Sequence, residues 1–282
     1  MSLKIPNNIV SVDWLYQHLN DKNIIILNAT IAKVTSKKDD INAERKYQIQ
    51  GARFFDIKNK FSDIKAPFPN TVLSPKEFED KAQLLGINKD SCIVVYDDLG
   101  IYSSPRVWWL FQLMGFNNIA VLNGGFPEWK SKKYPIEEQQ NRQVNKGNFL
   151  VDYQSEKITY TKDVLNATTN KHFLIVDARS KGRFYATEPE PRKGLQGGHI
   201  PNSVNLPHLE IINDGKIISK AKLEHTFNQI NPTNKNLIFS CGSGITASIL
   251  ALGATLAKQK NIAVYDGSWT EWASTNNLPI TK

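Results

Sequence analysis

Short apolar runs, separated by longer stretches of mixed character, recur along the whole chain. Ile24 to Leu27, Ile93 to Tyr96 and Ile119 to Leu122 fall in the first half. Phe173 to Val176, Leu237 to Ser240 and Ile262 to Tyr265 fall in the second. They are continuous rather than alternating, the pattern of strands covered on both faces. Amphipathic stretches of helical length lie between them. Ser104-Pro105 ahead of Arg106 to Met114 reads as a cap and a first-turn proline opening a helix. Thr246 to Lys258 is its partner, rich in Ala and Leu, with Lys258 and Lys260 near its negative end. Strands alternating with helices predict an α/β fold, a mainly parallel sheet flanked by helices in each half.

The halves echo each other. Asn118-Ile-Ala-Val recurs as Asn261-Ile-Ala-Val, and Glu128-Trp129 as Glu271-Trp272 at the same spacing. Ile25-Ile-Leu-Asn-Ala-Thr30 is matched by Leu174-Ile-Val-Asp-Ala-Arg179. A repeat of this length is a duplicated domain, not a solenoid unit. The expected division is a first domain over 1–140, a polar linker over 131–148 without lasting periodicity, and a second domain over 150–282.

Composition narrows the classes of function. The 282 residues are 40% hydrophobic and 22% charged, as in globular proteins. No apolar run approaches the roughly 18 residues of a membrane span. Asp13, Gln17 and His18 stand where a leader would need an apolar stretch. Two cysteines neither staple a chain of this size nor complete a zinc site, so a reduced, cytoplasmic setting without metal is expected. The net charge of +8 favours anionic small substrates. No basic motif with interleaved aromatics appears, so nucleic acid is not an expected partner.

The chemistry points to Cys241-Gly-Ser-Gly-Ile-Thr246, which joins an expected strand to an expected helix. A thiol there sits at the carboxyl end of a strand, where open α/β sheets place their ligands. Gly242 and Gly244 let the backbone curl so that successive amides form an anion nest, and the next helix aims its positive end at the same point. Ser243 and Thr246 add hydroxyl donors. The setting favours a thiolate. Cys92 starts an apolar strand with no glycine loop after it and reads as a packed core thiol. At the repeat spacing Cys241 falls on Asp98, so the first half lacks the nucleophile.

A cysteine phosphatase would need an arginine closing the loop, and Ala247 stands there. The short loop suits one added sulfur atom. At this point the chain resembles the two-domain rhodanese-like sulfurtransferases over nearly its whole length. The resemblance is carried by Cys241-Gly-Ser-Gly-Ile-Thr-Ala247, Gly198-His-Ile-Pro-Asn-Ser-Val-Asn-Leu-Pro207, Tyr102-Ser-Ser-Pro-Arg-Val-Trp-Trp109, Phe54-Phe-Asp-Ile57 and Tyr265-Asp-Gly-Ser-Trp269. The cysteine loop is similar to that of the 3-mercaptopyruvate branch. The thiosulfate branch carries Arg and Lys after the cysteine.

The resemblance implies two tandem rhodanese-like domains and a sulfurtransferase. Sulfur would move from 3-mercaptopyruvate through a Cys241 persulfide to a thiol acceptor such as thioredoxin, or to cyanide, with no cofactor. Ser243 would assist Cys241. Gly242, Gly244, Ile245 and Thr246 would line the substrate. Arg183 of Gly-Arg-Phe and Arg192 after Glu-Pro-Glu-Pro would bind its carboxylate and keto oxygens. The alternatives are a thiosulfate:cyanide sulfurtransferase and a non-enzymatic persulfide carrier. A monomer is expected, since two halves are already joined covalently. In the mercaptopyruvate branch a first-domain His and Asp align with the loop serine as a relay. Here Asn70, in Ala66-Pro-Phe-Pro-Asn70-Thr-Val-Leu73, stands in place of the His, and Lys58 in place of the Asp. Neither restores a serine activated by His and carboxylate.

Other candidates have structural readings. Arg179 follows a strand and an Asp and is expected in an ion pair, and Glu188 and Glu190 offer surface partners to the loop arginines. His199 in Gly-Gly-His-Ile-Pro is read as capping backbone groups. His18, His172, His208 and His225 show no metal spacing. Trp108, Trp109, Trp129, Trp269 and Trp272 are expected in the core.

Overall fold

The computed structural model describes residues 2–34 and 46–282. The chain divides into two compact units. The first takes in Met1–Asp63, Val72–Tyr153 and Asp214–Lys216, and the second Ile64–Thr71, Gln154–Asn213 and Ile217–Lys282. The units are thus not collinear with the two sequence halves. Residues 64–71, from the first half, are part of the second unit.

The first unit holds β1 (Ile9–Val10), α1 (Val12–Gln17), β2 (Ile24–Asn28), β3 (Tyr47–Ile49), β4 (Arg53–Phe54), α2 (Pro75–Leu84), β5 (Cys92–Tyr96), α3 (Ser104–Leu113), β6 (Ile119–Leu122), α4 (Gly125–Ser131) and β7 (Ile136–Glu138). Its main sheet has the order β1-β6-β5-β2-β4, every neighbouring pair parallel. All residues of β5 and β6 are buried, which is why their sequences do not alternate. The segment 131–148, read as a linker, contains β7. It pairs antiparallel with β3 and so packs within this unit.

The second unit holds β8 (Ile158–Thr159), α5 (Thr161–Ala167), β9 (Phe173–Asp177), α6 (Lys181–Phe184), β10 (Ser203–Asn205), β11 (Ile212–Asn213), α7 (Lys220–Ile230), β13 (Asn236–Ser240), α8 (Ala247–Leu256), β14 (Ile262–Tyr265) and α9 (Ser268–Ser274), with β12 (Lys216–Ile217) just ahead of α7. Its sheet runs β10-β9-β13-β14-β8, again with parallel neighbours. Counted from either end in chain order, the two sheets share one topology, as a duplicated domain requires. Ile175, Ile238, Tyr265, Trp269 and Trp272 form its core, and Ile26, Val94, Tyr96, Leu122 and Trp129 that of the first unit. Trp108 and Trp109 are buried as well.

Two helix starts differ from the sequence reading. Ser104 is the first residue of α3 and Ser103 holds the cap position, without a side-chain cap bond. The reason is a stronger acceptor nearby: Ser104 Oγ donates to Asp97 at 2.7 Å. Thr246 likewise caps α8 by position only, and the helix ends at Leu256, before Lys258 turns left-handed at φ 60°.

Candidate active site

Cys241 follows β13, the central strand of the second sheet, and stands at its carboxyl end. The thiol is 2% exposed. The loop after it is shaped by backbone, by glycine and by one serine. Gly244 has φ 80°, the left-handed turn that a side chain resists. Gly242 is glycine for space: a Cβ built on it would lie 3.1 Å from Arg183 Nη2 and 3.5 Å from Arg192 Nη1. The structure therefore brings both sequence-predicted arginines to the cysteine loop.

Ser268, which sequence reasoning missed, ties the loop down. Its Oγ accepts from Cys241 N at 3.3 Å and Gly244 N at 3.1 Å, and donates to Tyr265 O at 2.9 Å. Trp269 N and Thr270 N donate to the carbonyls of Cys241 and Gly242 at 2.9 and 3.0 Å. Ser248 Oγ holds the Gly244 carbonyl at 3.0 Å. These bonds turn the carbonyls away from the loop's interior. Among the described residues, the N–H groups of Gly242, Ser243, Ile245 and Thr246 meet no acceptor. Four such donors, with the start of α8 beside them, make an anion nest next to a thiol.

The equivalent loop of the first unit is closed from inside. Asp97, not Asp98 as the repeat spacing suggested, lies at the position equivalent to Cys241: Asn28 pairs with Tyr96 as Asp177 pairs with Ser240, and Phe126 N donates to Asp97 O as Trp269 N does to Cys241 O. The Asp97 carboxylate accepts from Leu99 N at 3.0 Å and from Tyr102, Ser103 and Ser104 N at 2.9 Å each. A carboxylate stands where the second unit has its thiol, and the loop's own amides close on it.

The arginines are held by a buried carboxylate. Glu190, with a side chain 1% exposed, accepts from Arg179 Nη1 at 2.8 Å, from Arg183 Nε at 3.1 Å and from Arg183 Nη2 at 2.7 Å. It is not a surface partner. Glu188, also read as one, accepts from Ser180 Oγ at 3.0 Å. Arg179 is fully buried, bidentate to Asp177, and stacks over Trp269 at 4.2 Å. Burial disfavours its cation, but Asp177 and Glu190 outweigh that and hold its ionisation above the usual arginine value. The string Glu188-Pro-Glu-Pro-Arg192 was the available signal for Glu190, since prolines fix the loop that carries it inward.

Arg192 Nη2 donates to Ser243 Oγ at 3.0 Å. Asn70, at φ 65°, reaches the same serine. Lys58 belongs to the first unit. His199 Nδ1 donates to Phe184 O at 3.0 Å and its ring stacks on Phe184 at 3.9 Å, a structural setting. Cys92 is fully buried, and burial pushes its thiol up to about 11, so it is inert at neutral pH. Among the described residues no cluster of His, Cys, Asp and Glu gathers as for a metal, and no helix is long and apolar enough to cross a membrane.

A buried thiol at the tip of a central parallel strand, facing open amides and paired guanidinium groups, defines a class of α/β domain that performs nucleophilic chemistry on an anion. The chain belongs to the rhodanese-like domain family, which matches residues 11–132 and 160–275. It is 34% identical over 275 residues to 3-mercaptopyruvate sulfurtransferase of Escherichia coli, covering 96% of each chain. It is 34% identical over 294 residues to thiosulfate/3-mercaptopyruvate sulfurtransferase 2 of Arabidopsis thaliana, covering 96% of this chain and 86% of the relative. The crystal structure of SseA from Escherichia coli, described as a 3-mercaptopyruvate sulfotransferase, superposes with a TM-score of 0.82 at 31% identity, covering 93% of this chain and 99% of that one.

Proposed function

We propose that the chain is a 3-mercaptopyruvate sulfurtransferase working through a persulfide on Cys241. The observation that carries the reading is the ring of unpartnered amides beside that thiol, with Arg183 and Arg192 at its edge. The amides favour a thiolate, and then a persulfide, over the neutral forms. Arg183 and Arg192 supply the bidentate donors that a 2-oxo carboxylate needs. Ile245 and Thr246 line the loop between the nest and α8, and Gly242 and Gly244 leave room for it to turn.

The Cys241 thiolate attacks the sulfur of 3-mercaptopyruvate, forming the S–S bond. The C–S bond breaks, and its electron pair passes to carbon and on to the keto oxygen, so pyruvate leaves as its enolate. The thiol proton of the donor ends on the enolate carbon, giving pyruvate and Cys241–S–S⁻. An acceptor thiolate then takes the outer sulfur and returns Cys241 to its thiolate. A small dithiol such as thioredoxin fits the acceptor step, and a cytoplasmic monomer fits the reduced thiols. The loop offers no cation directly after Cys241, so thiosulfate is expected as the weaker donor.

Intact-protein mass spectrometry after exposure to 3-mercaptopyruvate tests this. The wild type should gain one sulfur atom and release pyruvate repeatedly when a dithiol is present, and Cys241→Ser should do neither. Sulfur gain without repeated turnover would instead identify a carrier. Equal or higher kcat/KM on thiosulfate would move the donor assignment to the thiosulfate branch.

A further inference from the structure

Ser243 Oγ is approached by two groups. Arg192 Nη2 and Asn70 Nδ2 each lie 3.0 Å away. The orientation of the Asn70 amide is fixed by its second partner: the same atom is 3.1 Å from the Ser243 carbonyl oxygen, which can only accept. That atom is therefore nitrogen, and it donates to both. Guanidinium also has only donors. A hydroxyl has two acceptor positions and one proton. Both acceptor positions of Ser243 are filled, so its proton points in the one direction left. Among the described residues no acceptor receives it, although the residue is buried. A buried donor in that state, at the edge of an anion nest, is arranged for an acceptor that a ligand brings.

We propose that Asn70 is a positioning residue: together with Arg192 it fixes the Ser243 hydroxyl as a donor to an oxyanion of the bound sulfur donor. The proposal rests on the mercaptopyruvate reading for the identity of that oxyanion. As the C–S bond breaks, charge gathers on the keto oxygen. Ser243 keeps its proton throughout and supplies a hydrogen bond that strengthens as the enolate forms. It does not act as a base, because a carboxamide at position 70 has no site to take its proton on. The site thus works without the serine relay that a histidine at this position would offer.

A double-mutant cycle tests the assignment. Asn70 sits in the left-handed region, which glycine occupies without strain, so Asn70→Gly removes the carboxamide and spares the backbone. Oxalate, a planar dianion that presents a charged oxygen where the pyruvate enolate has its own, serves as a probe that carries no sulfur, with affinity measured by titration calorimetry on wild type, Asn70→Gly, Ser243→Ala and the double variant. Each single change should weaken oxalate about tenfold, and the double variant should bind no worse than Ser243→Ala alone. On 3-mercaptopyruvate, Asn70→Gly should lower kcat more than it raises KM. Losses that multiply in the double variant, wild-type affinity in Asn70→Gly, or no oxalate binding by the wild type would each overturn the proposal. Sulfur gain at Cys241 is read separately. If it occurs while the losses multiply, only the role of Asn70 falls. If it fails while the cycle is non-additive, the transfer reading falls and the donor assignment stands.

Discussion

Glu190 shows how much of the site depends on one residue that never touches the thiol. Its carboxylate joins Arg179, locked onto Asp177 and Trp269, to Arg183, which reaches the loop at Gly242. Replacing one partner of a buried ion pair leaves the others uncompensated. Glu190→Gln should therefore lower unfolding stability by about 3 kcal/mol and raise KM for the donor about tenfold while Cys241 still alkylates. Denaturant melts and steady-state kinetics check both. An unchanged KM would mean that Arg183 is oriented by something else. The residue types of the site were legible because chemistry restricts them: a thiol before glycines, and arginines in a Pro-rich loop. What was not legible was the partner of each group. Glu188 and Glu190 are equivalent as letters, and only the path of the loop decides that Glu190 turns inward and Glu188 meets Ser180. Gly242 and Gly244 likewise look alike in sequence, yet one is needed for space and the other for φ.

At the scale of the element, the strand–loop–helix unit decides what each half can do. In the second unit Ser240 ends the strand, and its buried Oγ has no partner among the described residues. In the first unit Asp97, the equivalent of Cys241, gathers the loop's own amides. Cys241→Asp should transplant that arrangement: the carboxylate would take up the nest and exclude another anion. Pyruvate, read by titration calorimetry, should bind Cys241→Asp about a hundredfold or more weaker than Cys241→Ser, in line with removing fixed donors from an anion. Equal affinity would show that the amides do not bind the substrate anion. The strands themselves were plain in the sequence, because burial on both faces leaves β5 and β6 wholly and β13 centrally apolar. The helix starts were less plain. Ser104 has the composition of a cap, but its hydroxyl answers to Asp97, a competition that local propensity does not register.

For the whole molecule, the repeated Asn-Ile-Ala-Val and Glu-Trp strings announced two copies of one topology, and the sheet orders agree. The chain's assignment of Ile64–Thr71 to the second unit was invisible in those strings. No repeat marks that segment, and what drew notice to it was Asn70 standing where the resemblance asks for histidine. On the proposed reading, the duplication also accounts for a single reactive thiol. Asp97 occupies the position equivalent to Cys241, one residue before the one the repeat spacing picks, and its carboxylate already takes the surrounding amides.

That occupation sets what it would take to wake the first domain. Asp97→Cys exchanges the plug for a sulfur atom in one step, yet the turn beyond it runs seven residues to the start of α3, against six from Cys241 to α8, and it is wrapped around a carboxylate. The variant should take up no sulfane sulfur by mass in a Cys241→Ser background. Silence of that kind would mean that the longer turn, and not merely the missing thiol, keeps the twin idle.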